Sequence, residues 1–515
     1  MPDINDMSAA LRGIGSWLTL RAEICPEREA VVDGGRRLTY AQLNGRVNRL
    51  ARALRGRGLS QGDRLAMLSY NCLEYLEVIM ACAKLGLILV PLNWRLTAAE
   101  LGFQMNDSQT RHLVFDPELE ELAGGLVSTA DVEFRVALGA DEVLDAAPYE
   151  ALLAEQPEDE PEPDSPITAD TPHIIMYTAG TTGKPKGAVL TQANSLWNAL
   201  NLQVDLEFTG ADRDLLVLPM FHIGGIGLFT LPMLYAGGTV VIQRTFDPVQ
   251  TLKLLREEKI SLFFGVPAIF LFLIQSPEFD PAAFDGVRLV MSGGAPLPPS
   301  LVEQYHEQGI VLQQGFGMSE AAPSIATLPK ENALAKAGSI GRPLFHMQVR
   351  IADAQGAELP RDQVGELLLK GPNIMQGYWN RPEANQEAFG GGWFHTGDLA
   401  RMDPEGFLFI VDRKKDMFIS GGENVYPAEV EHAIFELEAV AEAAVVGLPD
   451  SRWGEVGRAF VVLKPDQELD GQQVLTHLAE RLAKYKIPKS VVFIEALPRN
   501  AAGKVLKNQL REHQI

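Results

Sequence analysis

The chain has 515 residues, too many for one ordinary hydrophobic core, so two or more domains are expected. Apolar residues make up 46% and charged residues 22%, the balance of a globular protein, and the longest apolar run, Val78 to Pro91, is broken by Lys84 and Gly86 and falls short of a bilayer span. With 45 basic against 67 acidic side chains the formal charge is −22, which excludes the basic face of a nucleic-acid binder and means that a polyanionic ligand must be drawn in by a few well-placed cations against the global field.

In chain order, Leu38 to Leu54 reads as an amphipathic helix, with Thr39 as N-cap, Gln42 as its capping-box partner, and Leu43, Val47, Leu50 and Leu54 on one face. Arg64–Leu68 reads as a strand, Glu74–Leu85 as a helix, and Leu87–Leu92 as a second strand. Glu155 to Pro166 is acidic, proline-rich and without periodicity, and is expected to be a solvated loop. Short apolar runs at Ile174–Tyr177, Leu215–Leu218, Val240–Ile242, Ser261–Phe264 and Leu289–Met291 are mostly separated by helix-length segments, the pattern of layered α/β structure with mainly parallel sheets. From about Asp416 the texture changes. A helix near Ala428–Leu437, strands near Val440–Val446 and Ala459–Leu463, a helix near Val474–Leu482 and a strand at Val491–Ile494 make a compact α+β unit. The expected boundaries are 1–412, a hinge at 413–415, and 416–515. Cys25, Cys72 and Cys82 fit neither a zinc nor a CxxC spacing and read as small buried hydrophobes in a reducing compartment. No basic segment followed by an apolar core opens the chain, so the expected location is the cytoplasm.

The segment Tyr177 to Gly187, YTAGTTGKPKG, carries the strongest chemical signal. Gly180, Gly183 and Gly187 permit close backbone approach, Thr178, Thr181 and Thr182 supply hydroxyl donors, and Lys184 and Lys186 supply charge. Together they make a phosphate cradle, placed after a strand and before a helix-like segment. It is not a Walker A loop, because Lys184 is followed by proline and the glycine spacing is too short.

This segment resembles the phosphate-binding signature of the adenylate-forming superfamily, which includes acyl-CoA synthetases, adenylation domains and luciferases, with Ala179 where that pattern usually has serine. The resemblance runs along nearly the whole chain in the expected order, and the texture is most similar to bacterial fatty acyl-CoA ligases. It implies a large N-terminal domain of layered α/β subdomains and a small, mobile C-terminal α+β domain. It further implies Mg2+ as cofactor, ATP and CoA as cosubstrates, and a small carboxylic acid as substrate. A homodimer is left open.

The resemblance also distributes roles. In LPMFHIGG, Leu218 to Gly225, His222 falls where the family gates the acid pocket, and Phe221-His222 stands where amino-acid-activating relatives place an aspartate for an ammonium. Gly224, Gly225 and Gly227 are read as leaving side-chain space there, with Phe263, Phe264 and Ile269 as apolar walls and Gly293 in the pocket lining. Gly294 and Ala295 belong to SGGAP, Ser292 to Pro296, which lines adenine and acyl pocket in the family. Gln314, Gly315, Phe316, Gly317 and Ser319 fall in its adenine and phosphate segment, with Phe316 for the usual tyrosine and Ser319 for the usual threonine, and Glu320 at the Mg2+ position. Asp398 matches the ribose ligand, Arg413 a ribose and phosphate contact, Lys415 the hinge, and Ser420, Gly421, Gly422 and Glu423 the pantetheine channel. Lys504, in PRNAAGK, matches the lysine that contacts the acid during adenylation. The catalytic set is thus Lys504, Thr178, Glu320 and His222, and the nucleotide set adds Thr181, Thr182, Gly183 and Lys186 to the residues above.

The reaction so implied is attack of a carboxylate on the α-phosphorus of ATP with loss of pyrophosphate, then thioester formation with CoA. No GxSxG elbow or triad pattern is present. For the acid, a medium or long fatty chain suits an apolar bore, and an aryl acid of cinnamate, hydroxybenzoate or succinylbenzoate type fits nearly as well. Loading of a carrier protein and a catalytically silent ATP-binding fold are the other classes. The first is disfavoured by the lack of a carrier domain, the second by the presence of Lys504, Glu320 and Asp398 together.

Overall fold

The computed structural model describes residues 13–139, 143–178, 185–421, 423–450, 452–499 and 505–512. The chain divides into two compact units. The first holds the described residues up to Gln348 together with Lys370–Phe389, and the second Val349–Leu369 together with the described residues from Gly390.

The first unit is built on two large, mainly parallel sheets. One runs Arg342–Pro343, Ser324–Thr327, Leu312–Gly317, Leu289–Ser292, Leu262–Gly265, Arg213–Leu216, Thr239–Ile242, Glu29–Asp33, Arg36–Thr39, with its central pairs parallel and its ends antiparallel. The other runs Gly377–Tyr378, Lys186–Thr191, Pro172–Thr178, Ile88–Pro91, Arg64–Leu68, His112–Phe115, Phe134–Ala137, Ala147–Pro148. Its central strands read as unbroken apolar runs because both faces are covered, as parallel sheets require. Helix Tyr40–Gly56 forms where the periodicity places it, and Thr39 and Gln42 close the capping box. Every residue of helix Leu73–Leu85 is buried. Lys84 on it donates to Thr19, Asn44, Asn48 and Glu160 at 2.6–2.9 Å, so the charge that breaks the apolar run is caged rather than solvated.

The acidic stretch Glu155–Pro166 is the mostly exposed, irregular segment expected, but it is not free of partners. It lies along the arginine face of helix Tyr40–Gly56: Arg49 pairs with Glu158 at 2.8 Å, Arg55 with Asp164 at 3.1 Å, and Arg52 donates to the Asp159 carbonyl at 2.8 Å. Composition alone could not place these partners, which are about a hundred residues away.

In the second unit, a four-stranded sheet of Gln348–Ala352, Gly365–Lys370, Phe394–Met402 and Leu408–Arg413 precedes the α+β part. Most of this sheet groups with the C-terminal α+β part rather than with the N-terminal residues, so the compact unit begins well before the expected 413. The α+β part has strands Phe418–Ser420, Glu423–Val425, Val440–Asp450, Gly454–Leu463 and Ser490–Phe493, with helices Pro427–Phe435 and Gly471–Ala479 over a core that includes Phe418, Val430, Ile434, Val445 and Val461.

Candidate active site

Strand Pro172–Thr178 pairs antiparallel with Lys186–Thr191, Thr178 standing opposite Lys186. A strand, not a helix, comes after the glycine-rich segment, and the helix begins at Gln192. Ala179 to Lys184, and with them Thr181, Thr182 and Gly183, lie outside the described residues. Thr178 Oγ1 donates to the Lys186 carbonyl at 3.4 Å. Gly187 is required by packing, since a Cβ there would lie 2.5 Å from Ile175 Cγ2.

Residues that the motifs did not point to extend this strand pair. Gly377–Tyr378 adds to it as an antiparallel strand, and the Tyr378 hydroxyl donates to Glu320 Oε1 at 2.9 Å while its ring lies 5.2 Å from Lys186 Nζ. Lys186 makes no ion pair among the described residues. Glu320 is 8% exposed, and its carbonyl accepts from the Met375 amide at 2.8 Å. A cation, a phenol and a carboxylate therefore stand together at the start of strand Lys186–Thr191. The order GYW, Gly377 to Trp379, was the available signal for Tyr378.

The adenine-side segments leave the carboxyl ends of adjacent parallel strands, the usual place for a nucleotide in an α/β sheet. Ser292 pairs with Gln314 in register, and Ser292 Oγ and Gln314 Oε1 are both buried with no hydrogen-bond partner. Two adjacent orphaned polar atoms fit a polar ligand such as an adenine nucleotide. A Cβ on Gly293 would lie 2.7 Å from the Gly315 carbonyl, and Gly294 has φ +78°, so both glycines are backbone requirements. Gly294 and Ala295 are exposed, while Gly315, Phe316, Gly317 and Ser319 are half-buried. Among the described residues no group of three His, Cys, Asp or Glu side chains is arranged to hold a metal ion. A single carboxylate such as Glu320 suits Mg2+, which keeps waters and takes phosphate oxygens as its other ligands.

His222 is half-buried beside Phe221, ring centroids 4.9 Å apart. Burial, reinforced by the nearby Arg95 guanidinium, pushes its imidazolium down to about 4, so the ring is neutral near pH 7. The glycines after it correct the expectation of open space. A Cβ on Gly225 would lie 2.3 Å from the Pro219 carbonyl, and one on Gly227 would lie 2.7 Å from both the Ala322 carbonyl and Pro323 Cδ. These two let backbones approach in the π-helical turn Gly224–Leu228, and Gly224 alone of the three faces a cavity. Phe264 lines that cavity and packs on Phe229 at 5.7 Å. Phe263, on the opposite face of the strand, belongs to a ring cluster with Phe270 and Phe284, and Ile269 packs near Gly265.

In the second unit Asp398, 2% exposed, stands opposite Arg413 across two antiparallel strands and pairs with its Nε at 2.5 Å. Glu366, which the motifs missed, organises this segment: it accepts from the Gly397 amide at 3.3 Å and pairs with His395 at 3.3 Å and Lys414 at 3.0 Å. Burial raises its carboxyl, but Lys414 and His395 outweigh this and hold it below the usual range. Lys415 is exposed in the turn after Leu408–Arg413. Ser420 is buried, Gly421 has φ +62° and donates its amide to the Trp453 carbonyl at 2.8 Å, and Glu423 is exposed. Gly422 and Lys504 lie outside the described residues.

Known proteins agree with this picture. Residues 18–379 match the AMP-binding enzyme model, and residues 429–504 match the AMP-binding enzyme C-terminal domain. A feruloyl-CoA synthase of an Amycolatopsis species is 43% identical, covering 97% of this chain and 99% of its own. An indoleacetate–CoA ligase of Aromatoleum aromaticum is 41% identical over 97% and 98%, and the long-chain-fatty-acid–CoA ligase FadD13 of Mycobacterium tuberculosis 38% over 98% and 98%. Among solved structures, o-succinylbenzoate coenzyme A synthetase from Bacillus subtilis, in complex with ATP and magnesium ion, superposes with a TM-score of 0.87 at 35% identity, covering 96% and 99%. The chain therefore belongs to the AMP-binding enzyme family, within the adenylate-forming superfamily that its motifs resemble.

Proposed function

We propose that this chain, an ATP-dependent acid–CoA ligase, activates an aromatic carboxylic acid in preference to a fatty one. The observation that carries the choice is the 43% identity to a feruloyl-CoA synthase along essentially the whole chain, against 38% to a long-chain-fatty-acid ligase. A medium or long fatty acid is the second reading, favoured by the relative at 38%.

The carboxylate attacks the α-phosphorus of ATP and pyrophosphate leaves. Thr178, Thr181, Thr182, Gly183 and Lys186 hold the phosphates. Glu320, steadied by Tyr378, would hold Mg2+, which supplies neutralising charge to phosphate oxygens. Gln314, Gly315, Phe316, Gly317, Ser319, Gly294 and Ala295 receive the nucleoside, and Asp398 with Arg413 the ribose. Neutral His222, with Gly224, Phe264 and Gly293, bounds the acid. Lys504 contacts the reacting oxygens in this step. Because two anions must meet, catalysis is positioning and charge neutralisation rather than covalent chemistry with a side chain. The thiol of CoA then attacks the acyl carbonyl and AMP leaves, with Ser420–Glu423 along the pantetheine and Lys415 as the pivot between steps. The cytoplasm is the proposed location, supported by three unpaired cysteines.

Pyrophosphate release, measured over hydroxycinnamic, indoleacetic, hydroxybenzoic and fatty acids with and without CoA, tests this. The expected result is highest kcat/KM with an aromatic acid and CoA-dependent thioester. A fatty acid with the highest kcat/KM would overturn the acid class.

A further inference from the structure

In Asp212-Arg213-Asp214 the first two side chains are fully engaged: Asp212 with Arg288 at 2.8 Å, and Arg213 with Glu29 and Glu258, both at 2.7 Å. Asp214, on the face of strand Arg213–Leu216 opposite to Arg213 and in register with Leu262, shares the face of Phe264 and is different. It is 2% exposed, sits between Val240 and Leu262 in the middle of the parallel sheet, and has no hydrogen bond or ion pair among the described residues. Asp214 is among the residues that line the cavity, with Gly224, Leu228, Phe229, Thr230 and Phe264. Thr230, the other polar side chain of that lining, commits its hydroxyl proton to the Gly225 carbonyl at 2.7 Å. The cavity gives a water-sized sphere about 10 Å³ for its centre, the room one hydroxyl needs. Phe264 links it to the segment at Gly293, where a Cβ would lie 3.0 Å from the Phe264 Cζ.

We infer that Asp214 is a specificity-determining residue at the floor of the acid pocket, where it takes the hydroxyl that an aromatic acid carries on the side of its ring remote from the carboxylate. The inference rests on the aromatic-acid reading above and names the substitution that acid bears. Burial pushes the Asp214 carboxyl well above the usual carboxylate range and so favours its neutral form. A neutral carboxyl both donates and accepts, so it meets a phenol with two complementary hydrogen bonds. It offers no countercharge to an ammonium, and an alkyl terminus would leave it unpaired in a dry site, which costs free energy. Entry of a ring requires the Phe264 side chain to turn aside.

The test compares kcat/KM for cinnamic acid and its ring-hydroxylated counterpart in the wild type, Asp214→Leu and Asp214→Asn. A site built around a substrate hydroxyl discriminates strongly against the analogue lacking it, so the wild type is expected to prefer the hydroxylated acid by roughly 30-fold or more. Asp214→Leu is expected to bring the ratio near one or invert it, and Asp214→Asn, which can still donate and accept, to retain part of it. An unchanged ratio in a folded, active Asp214→Leu overturns the assignment. Should that variant not fold, difference infrared spectroscopy decides on the wild type. The protonated-carboxyl band assigned with Asp214→Asn must move to lower frequency with the hydroxylated acid and not with the parent, and a band indifferent to both overturns the assignment. If only alkyl acids are turned over, the aromatic reading fails, and a pair of ω-hydroxy and plain alkyl acids puts the same question to Asp214: loss of a hydroxyl preference in Asp214→Leu supports it, and no preference in the wild type refutes it.

Discussion

Tyr378 donates a hydrogen bond to a carboxylate that the family resemblance assigns to a metal, and this contact fixes which Glu320 oxygen remains available. Hydrogen bonds to charged groups contribute about 1.5–3 kcal/mol, so Tyr378→Phe should lower kcat/KM for MgATP by roughly tenfold or more and raise the Mg2+ concentration needed, with the KM for the acid unchanged. A Mg2+ titration indistinguishable from wild type would show the phenol to be mere packing. A second residue-scale case concerns stability. Burial pushes the Asp212 carboxyl up, but hydrogen bonds from Arg288, Ser261 and the Thr209 amide outweigh it and bring the value down to about 2. A depressed acid contributes stability in full above its ordinary value of 3.8 and loses it as pH falls through the folded value near 2. Arg288→Leu should therefore cost about 2–3 kcal/mol at neutral pH. The gap between the variant's and the wild type's urea midpoints should narrow between about pH 4 and pH 2. A gap of constant size would argue against the pairing.

Helix Tyr40–Gly56 and strand Arg64–Leu68 were legible because cap chemistry and apolar runs are local. The four-stranded sheet around Gly365–Lys370 was not, since its pairings join distant, weakly patterned strands. Nor was the docking of the acidic stretch, which is decided by arginines on another element. At the site, the family resemblance assigned roles to Glu320, Asp398 and Arg413, yet their neighbours Tyr378 and Glu366 belong to segments whose own chemistry is mute until the strands pair. Glycine was the most misleading residue, because one letter stands for two opposite situations. Gly224 has only ordinary contacts near its missing Cβ, at 3.4 and 3.5 Å, whereas Gly225 has a carbonyl at 2.3 Å. Gly224→Ala should thus fold normally and shift kcat/KM among acids of different bulk. Gly225→Ala must displace backbone and should lower the thermal midpoint, by an overpacking cost of about 1–3 kcal/mol. Equal thermal midpoints for the two variants would contradict the assignment of open and filled space.

At the scale of the whole molecule, a chain of charge −22 must bring an anionic acid to an anionic nucleotide. Many of its cations are already spent on its own carboxylates, as Arg46, Arg49 and Arg55 are on the helix that carries the acidic stretch. Lys186, which has no carboxylate partner among the described residues, and Lys504, which the resemblance of PRNAAGK assigns to adenylation, are the charges proposed for the reaction. They differ in when they are needed. The first step joins two anions and demands a cation at the reacting oxygens. The second is attack of a thiol on an anhydride already formed, in which AMP leaves and no new pair of anions has to be brought together. Lys504→Ala should accordingly depress acid-dependent pyrophosphate release by a hundredfold or more, about the scale for losing a charge that stabilises a transition state. CoA thioester formation from supplied acyl-AMP should fall by far less. Single-turnover measurement of each half-reaction separates them, and a comparable loss in both would remove Lys504 from the adenylation step.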